Sequence, residues 1–514
     1  MKRSIINIAL SIIAAAAMLV SCTDFLQETP KTFNSPNNYY TTADEIQAAV
    51  NGCYGYGTAQ GLPSMFVGMI GVGMNGHVFI EGLTGYSDRL SNTNFKEMAF
   101  LLPLDQTIDG YNQNFWKGYY LSIENCNSTI QGIESCTIEE SKLSTANKNA
   151  MLAEVYFLRA YYYYRLVTLF GPVPYKTTVT SGTDGMAIPA DSEKTVFEGI
   201  VSDLETAEAL TKDSAWTRKD GHVSKGAIKS LLAKVYLTMG GYPVQDASYY
   251  AKAYDKAKEV VTSGAYALGT YDDLKDQSKE NSGEIIFAIQ RNAESASNPL
   301  GVLCLPKSNP RACSDDNDAG AFTPCTSFIE SFAADDTRGV LFFRNTFNAY
   351  DNGGASLGYT FTTPRRYVNK YYDGTGLDDN QYGLDYILLR YADLELVLAE
   401  AKVMADGGTT TDADAIAAYQ EVHGRAVPGS TAPANLDFDT VFKERVWELC
   451  YENQTWFDMV RTRKAFDPAT KTVVNLIGYL APGHANAGSG AFTLTDIYLP
   501  YPVREKRLNP NLKR

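Results

Sequence analysis

Tryptophan and histidine are scarce in this chain, with four of each in 514 residues. The histidines, at positions 77, 222, 423 and 484, are scattered, which leaves a His-based catalytic or metal centre without support. No H-E-x-x-H, G-x-S-x-G or G-x-x-x-x-G-K-[ST] occurs, and no C-x-x-C or Cys/His spacing suits zinc. Basic residues are in deficit, 45 Lys+Arg against 59 Asp+Glu, for a formal charge of −14. That balance argues against nucleic-acid binding and against a polybasic membrane patch. Beyond the first 20 residues no stretch approaches the ~18 uninterrupted apolar residues of a membrane span. What is present is an ordinary globular composition, 45% hydrophobic and 20% charged, with 34 Tyr as its one excess.

The first residues read as an address. Lys2 and Arg3 precede an apolar run from Ile5 to Val20, broken only by Asn7 and Ser11. The run ends Leu19-Val20-Ser21-Cys22, which resembles a bacterial lipobox, where a Cys takes a diacylglycerol before the leader is removed. The expected organisation is a cleaved signal at 1–21, a polar tether at 22–36 and a single domain over 37–514. Loss of the leader removes Lys2 and Arg3 and takes the charge to −16. Seven Cys remain after Cys22, an odd number, so complete pairing within the chain is impossible. Cys304, Cys313 and Cys325 cluster in a loop-like stretch that has room for one disulfide.

The rest has a helical period. Asn147 to Phe170 places apolar residues at 151, 152, 155, 158, 162, 166 and 169, and Gly171-Pro172 stops it. Further helices are expected at Thr195–Leu210, from an N-cap at Ser224 to Gly240, at Ala247–Thr262, Tyr391–Met404, Asp412–His423 and Phe438–Arg463. Brief strands are expected at Glu284–Gln290 and Asp496–Leu499. Between the helices lie long Gly- and Asn-rich stretches at about 55–110, 290–385 and 465–495, and loops of that length are usually functional.

Several segments, in order, resemble the SusD/RagB family of nutrient-binding outer-membrane lipoproteins. They begin at Cys22 with Asp24-Phe25-Leu26 and continue with Trp116, Tyr120, Ile123 and Asn127 at the spacing W-x₃-Y-x₂-I-x₃-N. Ala153-Glu154 through Leu158-Arg159-Ala160 and Phe170-Gly171-Pro172-Val173-Pro174 follow, then Ser224-Lys225-Gly226-Ala227. The C-terminal part supplies Arg390-Tyr391-Ala392-Asp393 with Ala399-Glu400-Ala401, Glu444-Arg445 with Glu448-Leu449, Trp456-Phe457-Asp458 with Arg461, and Asn509-Pro510-Asn511-Leu512. Asn453-Gln454-Thr455 and Glu421-Val422-His423-Gly424-Arg425 depart from the family pattern. The resemblance implies a mainly α fold of four TPR-like helix pairs, with long irregular loops that carry the ligand site. It implies an outer-membrane protein, lipid-anchored and facing the cell exterior, that binds oligosaccharide and delivers it to a SusC-like TonB-dependent transporter. Neither catalysis nor a cofactor is expected.

The motif residues have a structural reading: Glu154, Arg159, Arg390, Asp393, Glu444, Arg445 and Asp458 are expected to pair between helices. Tyr161 to Tyr164 occupy four successive helical positions, so some are expected to face a neighbouring pair or a partner. The ligand site is sought in the loops. Sugar binding needs flat rings against C–H faces and planar polar groups for hydroxyls. With no Trp at 37–115 or 217–446, the rings there must be Tyr or Phe. The first loop offers Tyr86, Arg89, Asn94 and Phe95, and the second offers Tyr350. Asp315-Asp316-Asn317-Asp318 is acidic enough for Ca²⁺ but lacks EF-hand spacing. Two other readings are a peptide-binding member of the same family and, more weakly, a glycoside hydrolase, whose carboxylate pair no local motif announces.

Overall fold

The computed structural model describes residues 39–54, 74–89, 106–182, 187–294, 297–298, 300–314, 320, 323–372 and 382–513. The leader, Cys22, the tether, Asn94, Phe95 and the 315–318 acidic run lie outside them. Eleven helices of eight or more residues occur among the described residues. They are α1 Ala43–Tyr54, α2 Met74–Leu83, α3 Gln106–Ser135, α4 Thr145–Phe170, α5 Glu193–Leu210 and α6 Lys225–Gly240. After them come α7 Ser248–Val261, α8 Tyr391–Ala405, α9 Ala413–Ala426, α10 Phe438–Leu449 and α11 Thr455–Thr462. The strands are short and pair in twos, as β1 Ser87–Arg89 with β3 Thr323–Pro324, and β2 Ile285–Ile289 with β6 Tyr386–Arg390. A hairpin joins β4 Phe343–Tyr350 to β5 Ser356–Val368. The remaining pairs are β7 Thr409–Thr410 with β8 Leu436–Asp437, and β9 Lys464–Asp467 with β10 Thr472–Asn475. No helix among the described residues is long and apolar enough to cross a membrane.

The helices begin and end where local chemistry dictates. Ser144, Ser192 and Ser224 cap α4, α5 and α6, each accepting from the backbone N–H three residues on. Gly171, at φ +71°, ends α4 by donating to the Val167 carbonyl, and Pro172 follows. Successive helices then pack on one another, α3 on α4, α4 on α5, α6 on α7, and α8 on both α7 and α9. This is the mainly α, helix-pair scaffold expected from the periodicity. Helix α4 is enclosed by α1, α3, α5 and α6, so every residue from Phe157 to Phe170 is buried. All four of Tyr161–Tyr164 are therefore buried, which fits packing against neighbouring helices, one of the two expected alternatives, and leaves none on a partner-facing surface. Their hydroxyls are accommodated inside: Tyr163 donates to the Lys176 carbonyl at 2.7 Å, and Tyr164 meets Thr238 at 3.2 Å.

Three expectations give way. The helix expected at Phe438–Arg463 is two helices, broken at Cys450–Gln454 by left-handed Tyr451 (φ 64°) and Asn453 (φ 56°). The break is held by tertiary bonds that outweigh helix continuation: Glu452 accepts from Arg390 at 2.7 Å and from Lys370. Asp496–Leu499 is not a strand. A capping box at Thr493 winds Leu494–Asp496 into a 3₁₀ turn, and Leu499 donates to the Leu169 carbonyl of α4. No disulfide joins Cys304, Cys313 and Cys325, all of them buried.

The motif carboxylates and arginines do pair between elements. Arg159 meets Asp203 at 2.7 Å, and Glu154 meets Arg218 at 2.7 Å and His222 at 2.6 Å. In the C-terminal half the pairs fuse into a lattice. Glu448 takes Arg338, Arg390 and Arg425 at 3.1, 2.8 and 2.6 Å. Glu284, carried in by the β2–β6 pairing, takes Arg390 and Arg425, while Arg445 and Arg461 share Asp458 and Glu400. The surrounding cations hold the Glu448 carboxyl well below the usual carboxylate range despite its burial.

Candidate functional site

The two long loops nominated for ligand binding meet. Strand β1, from the first, pairs antiparallel with β3, from the second, and β3 packs on β5. The approach to β1 needs Gly85. Its φ of +72° suits glycine, and a Cβ there would stand 2.4 Å from Ala481. Three residues on, Asp88 pairs with Arg365 of β5 at 2.7 Å and accepts from Asn486, so three distant segments converge on one carboxylate.

Tyr86 is not on the open surface of this junction. It is 2% exposed, its ring stacked on Phe328 with centroids 4.8 Å apart. Its hydroxyl donates to the Phe466 carbonyl at 2.9 Å and accepts from the Phe466 N–H at 3.1 Å. Burial pushes that hydroxyl's pKa well above its ordinary value. A ring with one face on Phe328 and its polar end fully bonded has none to offer a sugar, so its nomination as a platform is corrected to a core role. Arg89 falls in β1 opposite Thr323. Asn94 and Phe95 lie outside the described residues.

Tyr350 ends β4, half-buried, and exchanges both backbone hydrogen bonds with Arg311 at 3.0 Å. Arg311 also donates to the Asn352 carbonyl at 3.1 Å, so three polar or aromatic residues of the second loop stand together at the hairpin's turn. Toward the other end of β4, the Arg344 guanidinium lies 4.6 Å from the centres of both the Phe347 and Tyr372 rings. Burial lowers its pKa from the ordinary arginine value.

The hairpin itself is what sequence reasoning missed, together with α2 inside 55–110 and the β9–β10 hairpin inside 465–495. Gly353-Gly354, Gly358 and Pro364 made 350–368 read as loop. In the structure Pro364 sits where the register slips between Arg344 and Thr346, a position a strand tolerates. β5 presents Leu357 and Tyr359 to solvent, and Tyr359 is 52% exposed. The signal for it was the alternation Leu357, Tyr359, Phe361 in a Thr-rich run. The arrangement offers an open ring, guanidinium and amide donors and an acidic acceptor. Among the described residues no group of three His, Cys, Asp or Glu side chains is placed to hold a metal ion.

Comparison with known proteins adds the following. A family model described as starch-binding associating with outer membrane matches residues 82–237, and the SusD family model matches 284–514. The chain is 26% identical over 473 residues to SusD-like protein P2 of Formosa agariphila, covering 87% of this chain and 88% of that one. A SusD superfamily structure from Parabacteroides distasonis superposes with a TM-score of 0.79 at 30% identity, covering 91% of this chain and 98% of that one. Surface glycan-binding protein A from Bacteroides thetaiotaomicron, in complex with laminarihexaose, superposes with a TM-score of 0.69 at 19% identity, covering 91% and 98%.

Proposed function

The chain belongs to the SusD family, and from that premise we propose that it is a cell-surface glycan-binding lipoprotein, anchored through Cys22, that captures oligosaccharide and delivers it to a SusC-like TonB-dependent transporter. The reading is carried by the convergence of the two long loops at β1–β3, beside a hairpin whose Tyr359 ring is open to solvent. A protein of the same fold is described with laminarihexaose bound, and that chemistry is transferred to this chain as part of the proposal. The ligand face consists of Tyr350 and Tyr359 with Arg89, Asn94 and Phe95. Tyrosine supplies the flat faces that tryptophan would supply elsewhere, and the arginine and amide groups bond hydroxyls. The protein works by binding alone.

Calorimetry against plant, host and microbial oligosaccharides, with a peptide panel beside it, tests this. At least one oligosaccharide binds, and Tyr359→Ala weakens it. Binding to peptides only would move the protein to the peptide-capturing reading. Release of reducing ends from a polysaccharide by the purified protein would make it a hydrolase. Gentle detergent extraction should bring a large β-barrel with it, and Cys22→Ala should leave the protein unanchored.

A further inference from the structure

Of the buried arginines, Arg165 is handled differently from the lattice. Arg159, Arg338, Arg390, Arg445 and Arg461 each lie within 3 Å of a carboxylate. Arg165, in the middle of α4 and 6% exposed, has no carboxylate within ion-pairing distance among the described residues. Its guanidinium lies 4.3 Å from the centre of the Phe457 ring, which covers a face of the cation, and it hydrogen-bonds Tyr119. Nε and Nη2 have no hydrogen-bond partner among the described residues. The groups that act on it most strongly are Tyr161 and Tyr119, not acids. A buried, uncompensated guanidinium with two idle donors is costly unless something supplies both the charge and the acceptor.

The side chain lines a cleft that has space to receive it. Tyr161 and Tyr164 of α4, Lys234 of α6, Tyr386 of β6 and the Glu452–Gln454 break surround the opening. The acids nearby are already committed: Glu452 to Arg390 and Lys370, and Asp393 to Lys234 at 2.6 Å and Arg445 at 2.9 Å. Two further groups close by add no negative charge at neutral pH. Burial pushes the Glu81 carboxyl up to about 8 and His77 down to about 3. The cleft therefore has positive character. Its enclosed part is small, about 20 Å³, room for one small species.

We propose that this cleft is a halide site, in which Arg165 Nε and Nη2 bind a single chloride that serves as the missing counter-ion between α4, α6, β6 and the α10–α11 break. A water molecule would satisfy the donors but not the charge. The site is separate from the ligand face, and its test is independent of the glycan reading. The purified full chain is melted at constant ionic strength while chloride is replaced stepwise by gluconate, which is too large for the cleft. The midpoint is expected to fall by about 3 °C as chloride goes from roughly 300 mM to 1 mM, as linkage to a ligand bound only by the native state requires. Crystals soaked in bromide should show an anomalous peak about 3.3 Å from Arg165 Nε or Nη2, the contact of a halide with an N–H donor. Arg165→Met should abolish the chloride dependence. A midpoint indifferent to the exchange, bromide peaks only elsewhere, or a chloride response that survives Arg165→Met would each overturn the proposal. If the variant does not fold, the two wild-type measurements decide.

Discussion

The lattice around Glu448 and the hairpin face around Arg365 both hold arginine–carboxylate pairs, and at similar lengths. Arg425 reaches Glu448 at 2.6 Å and Arg365 reaches Asp88 at 2.7 Å. Their settings differ. Glu448 is fully buried and answers three arginines, whereas the Arg365 side chain is 42% exposed. In the lattice, removal of one partner strands charges that water cannot reach. At the face, water and salt replace what is lost. The same chemistry therefore fixes geometry in one region and remains available to a ligand in the other, which is why the family motifs fall in the first and not in the second.

Glu448→Ala breaks the comparison most severely if it is wrong. It leaves Arg338, Arg390 and Arg425 each short of an acceptor, along with the Tyr271 hydroxyl that donates to Glu448 at 2.9 Å. The expected loss is about 3–5 kcal/mol in a denaturant titration. A loss below about 1 kcal/mol would place the lattice in the same class as surface pairs. Tyr86→Ala comes next. It empties a stacked core position and should cost about 3 kcal/mol of stability, while leaving the oligosaccharide affinity of the folded protein within about twofold of wild type. An intact fold with lost affinity would return Tyr86 to the face.

The pH dependence separates two kinds of buried acid. Glu448 and Asp393 have carboxyls held low by their cations, so the stability they contribute is present above the ordinary carboxylate range and is lost as pH falls through their folded pKa values. Glu81 runs the other way. Its folded pKa of about 8 lies above the unfolded value, so the native state holds a proton the unfolded chain has released. Its contribution is fully present below about pH 4.3 and is lost as pH rises toward 8. Glu81→Gln keeps an acceptor for the Asn453 N–H and removes the titration. Melting curves from pH 5 to 9 should then lose a downward slope that wild type shows, and an unchanged slope would remove Glu81 as its source.

The scaffold was legible because its signals are local or periodic. The cap at Ser224, the stop at Gly171-Pro172 and the apolar spacing of α4 each act within one turn or one face. The lattice was legible only as a class of pairing, since nothing in the sequence says that Glu284 reaches Arg390 through the β2–β6 pairing. The break at Tyr451 and Asn453 was hidden because long-range bonds to Glu452 produce it. The site was least legible. Tyr86 and Tyr359 look alike as loop tyrosines, and only the fold decides that one stacks on Phe328 while the other faces solvent.

Tyr359→Ala is the smallest perturbation of the fold and the sharpest test of the face. The ring is more than half exposed, and no hydrogen bond or ring contact holds it among the described residues. Its removal should change stability by no more than about 0.5 kcal/mol. If the hairpin is the sugar platform, the same substitution removes a stacking face and should weaken the best oligosaccharide of the panel by about tenfold, the ~1.4 kcal/mol that one aromatic contact supplies. Tyr359→Phe should retain most of the affinity, because a sugar's C–H face needs the ring and not the hydroxyl. Unaltered affinity in both variants would move the platform from β5 to Tyr350 and the first loop. A large stability loss in Tyr359→Ala would mean instead that the face is load-carrying like the lattice, and the distinction between the two regions would fail at the point where it was drawn.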